Sequence, residues 1–301
     1  MEKIVVQIES RLPLTRESRR IFHGRGHCFP GFEDLTIDWF YPVLLVITYS
    51  PWEDCRLSCL TEQLRKLIPE SEVVLLQERR GTEVIHRVLW GSLPREVEAV
   101  EAGLRYRLSL GSAQNAGFFL DMAIGRSLLR ERSQGKKVLN LFAYTCSFSV
   151  AAIAGGAAGV VNLDMNRNAL NLGRLNHKLN GQDLRTSSFL PHDLFRSFGK
   201  LKKLGPYDLI VCDPPADQGK SFHADRDWPK LVARLPDLLS PRGELFACLN
   251  GPKRSPDFLK DLFSAIAPQL KLIQKLRPGP DFPENEPDKG VWLFHYQRQN
   301  N

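Results

Sequence analysis

The chain has 301 residues, 43% hydrophobic and 25% charged, which suits a folded protein of one large or two smaller domains. Lys and Arg number 41 against 34 Asp and Glu, a net +7 and a pI near 9.1, which favours a polyanionic partner or a mildly basic solvated surface. The spacing of the six cysteines (28, 55, 59, 146, 212, 248) excludes a disulfide framework and a zinc site, MEKIVVQIESRLPLTR is no signal peptide, and no apolar run is long enough to span a bilayer.

In chain order, EKIVVQI, LTIDWF and VLLVITY read as short strands rich in β-branched residues. DCRLSCLTEQLRKLI sets Leu57, Leu60, Leu64 and Leu67 at helical spacing. EVVLLQERR, EVIHRVLWG and LRYRLSL read as further strands, giving a small, mainly antiparallel α+β unit over residues 38–110 behind a basic segment, 1–37. The character changes over 111–301. FFLDMAIGRSLLRERSQG reads as a helix with Phe118, Met122, Leu128 and Leu129 near one face and Gly135 as its stop. Strand-like KKVLNLF, GVVNLD, TSSFL, YDLIVCDPP and ELFACLN follow, most of them separated by helical segments such as FSVAAIAGGAAG and RNALNLGRLNHKLNG. That alternation implies a parallel sheet covered on both faces. LKLIQKL and GVWLFHY are joined by RPGPDFPENEPDK, with four prolines and no helical pattern, so the last strand is expected to be antiparallel. The expected fold is α/β, a Rossmann-like seven-stranded mixed sheet preceded by the small α+β domain.

Ligands of such sheets bind beyond the carboxyl ends of the strands. The first candidate loop, LNLFAYTCS, has no glycine. Glycines let a backbone approach a pyrophosphate, and a cofactor without phosphates makes a weaker demand. S-adenosyl-L-methionine, with an adenosine, a sulfonium and an amino-acid tail, suits the small side chains of Ala143, Thr145, Cys146 and Ser147. Asp164, about 20 residues on, is placed to bind ribose hydroxyls, with Met165 on the adenine face; an N-cap is the competing role, and Asn166 serves that equally well. Asp193 in PHDLF offers an acceptor for the adenine amino group, or again an N-cap. CDPPADQGKSF follows a strand, and Asp-Pro-Pro is characteristic of enzymes that methylate nitrogens in planar bases. Asp213 with rigid carbonyls from Pro214 and Pro215 can hold an amino edge, and positioning then does most of the work. An aromatic usually follows the second proline; Ala216 stands there, and Phe222 is the candidate replacement as stacking face. Methylation at cytosine C5 needs a thiolate, for which Cys248 is a candidate, whereas Cys212 reads as structural.

NLFAYTCSFSVAAIAGGAAGVVNLDMNRNAL, VCDPPADQGKSF and QNAGFFLDMAIGR together resemble the large-subunit ribosomal RNA methyltransferases, class I S-adenosylmethionine enzymes that modify cytosine C5 or guanine N7. The resemblance covers about 114–250, and RRIFHGRGHCFPGFEDLTIDWF and GLRYRLSL resemble the segment that precedes this core. It implies that Gln114, Phe119 and Asp121 belong to an approach helix over the cofactor. It places Phe142, Ala143 and Tyr144 in the first cofactor loop, Asp164 and Met165 at ribose and adenine, Asp193 with Leu194 at adenine, and Asp213 in the catalytic loop. The cytosine-C5 members carry their thiol one position after Cys248, where Leu249 stands here, and Asn250 resembles the guanine-type members. Cys146 replaces a family glycine and is expected beside the cofactor's amino-acid tail. Ahead of RIFHGRG the sequence shows no counterpart of the small N-terminal RNA-binding module of many relatives. RNA contact is therefore expected from residues 38–110 and from RLPLTRESRRIFHGRGH, whose five arginines suit phosphates and whose neighbours Phe22 and Phe29 suit base stacking.

The reading is a cytoplasmic, S-adenosylmethionine-dependent methyltransferase acting on a base nitrogen of RNA, chiefly ribosomal RNA, as monomer or homodimer, with no membrane or metal partner. The alternatives are cytosine-C5 transfer, a protein or small-molecule acceptor, and an inactive RNA-binding protein. A nicotinamide oxidoreductase would need the G-x-G-x-x-G loop that NLFAYTCSFS lacks.

Overall fold

A computed structural model describes residues 1–81, 83–215, 222–251 and 254–299. The chain forms two compact units, Met1–Leu120 with Gly279–Pro287, and Asp121–Pro278 with Asp288–Asn301.

The first unit starts with helix α1 (Glu2–Glu9), where β-branched residues predicted a strand. Ile4 and Ile8 explain the difference: at i,i+4 they fall on one helical face and are 1% and 0% exposed, while Val6 is 59% exposed. β1 (Arg19–His23), β2 (Leu35–Phe40), β3 (Val43–Thr48), β4 (Val73–Arg80) and β5 (Glu83–Gly91) form one sheet in that order, with α2 (Asp54–Leu67) as the crossover between β3 and β4. Only the β3–β4 pair is parallel among these, as a helical crossover requires. β6 (Glu98–Glu101) and β7 (Leu104–Arg107) form a separate antiparallel pair. Residues 1–37 belong to this core through Ile4, Ile8, Ile21 and Phe22.

The proline-rich segment 279–287 is held on the same unit. Arg11 and Arg19 both bind Asp281, the latter at 3.0 and 2.6 Å, and Asn285 N–H donates to Gly26 O at 2.7 Å. Arg20 donates two bonds to Asp38, at 2.6 and 2.9 Å. Arg16 and Arg25 lie over the Tyr41 and Tyr49 rings. Phe22 is 0% exposed and Phe29 packs on it, 4.8 Å between centroids. The basic arm thus folds back on its own unit. Three of its arginines hold carboxylates, Phe22 lies in the core and the half-buried Phe29 packs on it, so the expectation that Phe22 stacks on RNA bases is not met.

The second unit contains α3 (Ala123–Arg132), β8 (Lys137–Leu141), α4 (Ser147–Ala154), β9 (Gly159–Leu163), α5 (Arg167–Leu179), β10 (Ser187–Leu190), α6 (Phe198–Leu204), β11 (Tyr207–Cys212), α7 (Ala224–Arg234), β12 (Leu239–Leu249), α8 (Asp257–Ile266), β13 (Leu270–Leu276) and β14 (Trp292–Arg298). Among the described residues its sheet has seven strands in the order β10-β9-β8-β11-β12-β14-β13. The first five run parallel, and β14 is antiparallel to both neighbours, as the short proline-rich connection requires. Met122, Leu129 and Phe148 pack with one face, and Trp228, Leu231, Leu259 and Phe263 belong to the core of the other. No helix among the described residues is long and apolar enough to cross a membrane. The helix predicted from Phe118 begins later. Gly117 at φ +98 interrupts the chain, Phe118 stacks on Tyr106 at 4.5 Å, and a 3-10 turn at Leu120–Met122 leads into α3.

Candidate functional site

The chain winds β8, β9, β10 outward in one direction and then β11, β12 in the other, so the topological switch lies between β8 and β11. Ligands of open α/β sheets bind outside the carboxyl ends of strands at this switch. Here the strand ends are in register: Leu141 pairs with Leu163 and with Cys212, Leu163 with Leu190, and Cys212 with Ala247. Phe142, Asp164, Asp213 and Cys248 each follow one of these residues directly, and Asp193 follows Leu190 by three. One rim therefore carries Phe142, Asp164, Asp193, Asp213 and Cys248.

The loop without glycines makes glycine-like turns. Phe142, Tyr144 and Cys146 have φ of 56°, 46° and 63°. This left-handed region costs non-glycine residues about 1–2 kcal/mol each, and such strain gathers at ligand sites. Asp164 holds the loop: its Oδ2 accepts from Tyr144 N–H at 2.8 Å, and its Oδ1 from Asn166 N–H at 2.7 Å. Burial raises the Asp164 carboxyl above the ordinary aspartate value, and the two N–H donors oppose the rise. Each oxygen keeps acceptor capacity for a hydroxyl. Asn166 is the cap of α5, accepting from Asn168 and Ala169 N–H at 3.0 and 3.1 Å, which frees Asp164 for another role. Met165 is 63% exposed beside it.

Cys146 is fully buried, with Ala143 and Leu170, and its thiol lies well above the usual range because of desolvation. Its sulfur fills the space over Gly173, where a Cβ would stand 2.4 Å from Sγ. The left-handed backbone accounts for a glycine substitute, and the side chain packs onto α5. Gly173→Ala is expected to lower stability by about 1–3 kcal/mol through overpacking. Adding Cys146→Gly should recover most of that in thermal melts; no recovery would show that the two positions do not share this space.

Sequence reasoning missed the polar chain beneath the loop. Asn140 Nδ2 donates to Asn162 Oδ1 at 2.9 Å, Asn162 Nδ2 to Ser149 Oγ at 3.0 Å, and Ser149 Oγ meets His177 Nε2 at 2.9 Å. All four are buried, and burial pushes His177 down to about 4, so it is neutral here. Asn176 Nδ2 binds Thr145 O at 2.9 Å and pins the loop from α5. The available signal was the repeated Asn-Leu at the ends of KVLNL and GVVNL.

Asp213 lies at the switch with part of its surface open. Desolvation raises its carboxyl to about 6, with Asp121 adding like charge; hydrogen bonds from Asn250 and Cys248 and the charge of Arg126 oppose the rise. Asn250 Nδ2 donates to Asp213 Oδ1 at 2.7 Å and to Pro214 O at 2.8 Å. Asn250 thus braces the loop, and the Pro214 carbonyl already holds one donor. Cys248 is 0% exposed, and burial and Asp213 push its thiol well above the usual value. Cys212 is buried likewise. Phe222 is 1% exposed against Phe142 and Trp228, at 5.5 and 6.3 Å, so it serves the core and presents no stacking face. Ala216 lies outside the described residues. Arg126, 1% exposed, was also missed; a charge four residues after Met122 on the apolar stripe of α3 was its signal.

Other expected residues sit differently. Asp193 Oδ1 caps a turn through Arg196 N–H at 3.0 Å, and Leu194 is 3% exposed in the core. Gln114 lies in a loop of the first unit, its carbonyl accepting from Gln77 and Arg79, and Phe119 is 45% exposed there. Neither is on a helix: Gly117 at φ +98 separates Gln114 from α3, and helical turns begin only at Leu120, after Phe119.

A switch-point loop held by an acid at the end of β9, with an Asp-Pro-Pro turn after the neighbouring strand β11, is the arrangement expected of a class I methyltransferase. Residues 19–297 match the family described as S-adenosylmethionine-dependent methyltransferase, and the chain belongs to that family. It is 31% identical over 226 residues to ribosomal RNA large subunit methyltransferase I of Aeromonas hydrophila, covering 71% of this chain and 57% of that protein. It is 32% identical over 234 residues to ribosomal RNA large subunit methyltransferase K/L of Shewanella loihica, covering 76% of this chain and 32% of that protein. The chain thus spans little more than half the length of the first relative and a third of the second. Among solved structures, a Streptococcus mutans protein assigned as a SAM-dependent methyltransferase superposes with a TM-score of 0.87 at 23% identity, covering 98% of this chain and 81% of that one. The donor set fits the family's cofactor, since Asp164 presents a partly exposed carboxylate at the end of β9 beside the exposed Met165 thioether.

Proposed function

We propose that the protein transfers a methyl group from S-adenosyl-L-methionine to a base nitrogen of RNA, with ribosomal RNA in the cytoplasm as the acceptor. Asp164 and Met165 bind the adenosine, with the backbone of Phe142, Ala143 and Tyr144 forming the wall beside it and Asp193 at the rim. S-adenosyl-L-methionine supplies an electrophilic methyl on a sulfonium. The chain's own part is to hold the acceptor in line. The Asp213 carboxylate accepts a hydrogen bond from an amino or ring N–H edge and is placed to take the proton that this nitrogen sheds on methylation, and Asn250 fixes it together with Pro214. The observation that carries nitrogen over carbon is Cys248: its side chain is 0% exposed, and burial and the neighbouring Asp213 push its thiol well above the usual value, away from the thiolate form. A cytosine-C5 enzyme needs a thiolate free to attack C6.

Two measurements test this. Mass mapping of ribosomal RNA from cells with and without the gene should show one missing methyl on a base; an unchanged map argues for another acceptor. Cys248→Ser should keep methyl transfer within about threefold, since the hydroxyl replaces a buried hydrogen-bonding group without removing a nucleophile. Loss of transfer with cofactor binding intact would restore the cytosine reading.

A further inference from the structure

The basic excess is not shared between the two units. Met1–Leu120 with Gly279–Pro287 holds 15 Lys and Arg against 19 Asp and Glu, whereas the remainder holds 26 against 15. The whole positive balance, and more, lies in the second unit. Part of it lies in the stretch from Met165 to Leu204, with eight Lys and Arg against two Asp.

One stripe of this stretch faces solvent. Arg196, Lys200 and Lys203 recur at i, i+4 and i+7 through the turn into α6 and along it, opposite the buried Phe198 and Leu201. All three are exposed and make no ion pair among the described residues. Lys202, on the neighbouring face, is paired with Asp237. His192, also exposed, meets Lys200, with Nε2 and Nζ 3.3 Å apart, so a donor and a ring nitrogen converge at the start of the stripe. α7 widens it: the exposed Arg234 lies over Phe198 at 4.9 Å, and Lys230, shared with Asp227, over Phe195 at 5.7 Å. The stripe begins beside Asp193, on the rim of the candidate site, and extends roughly 10 Å away from it.

We propose that this α6 stripe, Arg196, Lys200 and Lys203 with His192 at its head, is the surface along which the second unit holds the phosphate backbone of its RNA. The inference rests on the RNA reading above and assigns the contact to the methyltransferase unit itself. Cations spaced along one helical face and free of carboxylates suit a polyanion, because each neutralised phosphate releases bound counterions. The half-buried Phe195 at the start of the same turn adds an apolar face to it.

The test is filter binding of purified bacterial large-subunit ribosomal RNA to the full chain between 50 and 300 mM salt. Arg196→Glu/Lys200→Glu/Lys203→Glu should weaken binding at least tenfold at the low-salt end. The slope of log K against log salt should become shallower by about 2, as expected for three lost phosphate contacts. Binding of S-adenosyl-L-methionine, measured calorimetrically, should stay within twofold, which shows that the variant is folded. The matched triple reversal Lys3→Glu/Arg65→Glu/Lys66→Glu in the first unit should weaken RNA binding less than threefold. A stripe variant that binds RNA as well as the wild type overturns the inference and leaves the RNA reading standing. A wild type that binds cofactor but no RNA overturns both.

Discussion

Asp213→Asn is expected to slow methyl transfer by about 10²–10³-fold and, at pH 7.5, to raise the melting temperature by a few degrees. The two effects share one cause. Asp213 titrates at about 6 because it is desolvated, against an unfolded value near 3.9. A carboxyl raised in this way contributes its full stability below the unfolded value and loses it as pH rises through about 6. At neutral pH the ionised group therefore opposes folding, by at most about 3 kcal/mol. The amide never carries that charge, and its Oδ1 still accepts from Asn250. The stabilisation should vanish at pH 4, where the wild-type carboxyl is neutral too. Wild-type transfer should fall below pH 6 with the loss of the carboxylate acceptor. Thermal melts at both pH values and a rate profile check this; a variant less stable at pH 7.5, or fully active, would remove Asp213 from its assigned place.

Asp164→Ala is expected to weaken S-adenosyl-L-methionine binding at least 100-fold in calorimetry. Two charge-assisted bonds to ribose hydroxyls are worth about 1.5–3 kcal/mol each. The change also leaves the Tyr144 and Asn166 N–H groups without their acceptor, so the strained loop loses its brace. Asp164→Asn keeps one carbonyl oxygen and should lose less. Unchanged affinity in Asp164→Ala would dismiss the ribose role and leave Asp164 as a loop brace.

Periodicity showed most of the second unit, because parallel strands buried on both faces are apolar runs and their crossover helices carry amphipathic stripes. The antiparallel end followed from a connection too proline-rich for a helix. What escaped was tertiary. EKIVVQI is helical because docking two isoleucines outweighs β-branched propensity. Arg11 and Arg19 of the basic arm looked available because their partner, Asp281, is more than 260 residues away in sequence, and no local pattern reports such a pair. In the candidate site, the strand-end positions of Asp164 and Asp213 were legible because each directly follows an apolar run. Arg126 and the Asn140–Asn162 chain were not, because buried polar groups read as apolar positions until their partners are known. Phe222 was misplaced for the opposite reason: aromatic type says nothing about which way a ring faces.

Asp281 also bears on the order of events during synthesis. The first unit contains both Met1–Leu120 and a segment, Gly279–Pro287, that the ribosome adds only after all the strands of the second unit but one. Until then Arg11 and Arg19 have no Asp281 to bind, and Gly26 O has no Asn285 N–H. The arginine clasp of Met1–Leu120 is therefore delivered by chain that follows most of the second unit. No single cut separates the two units, and translation stalled before residue 279 would leave the arginine clasp of the first unit open.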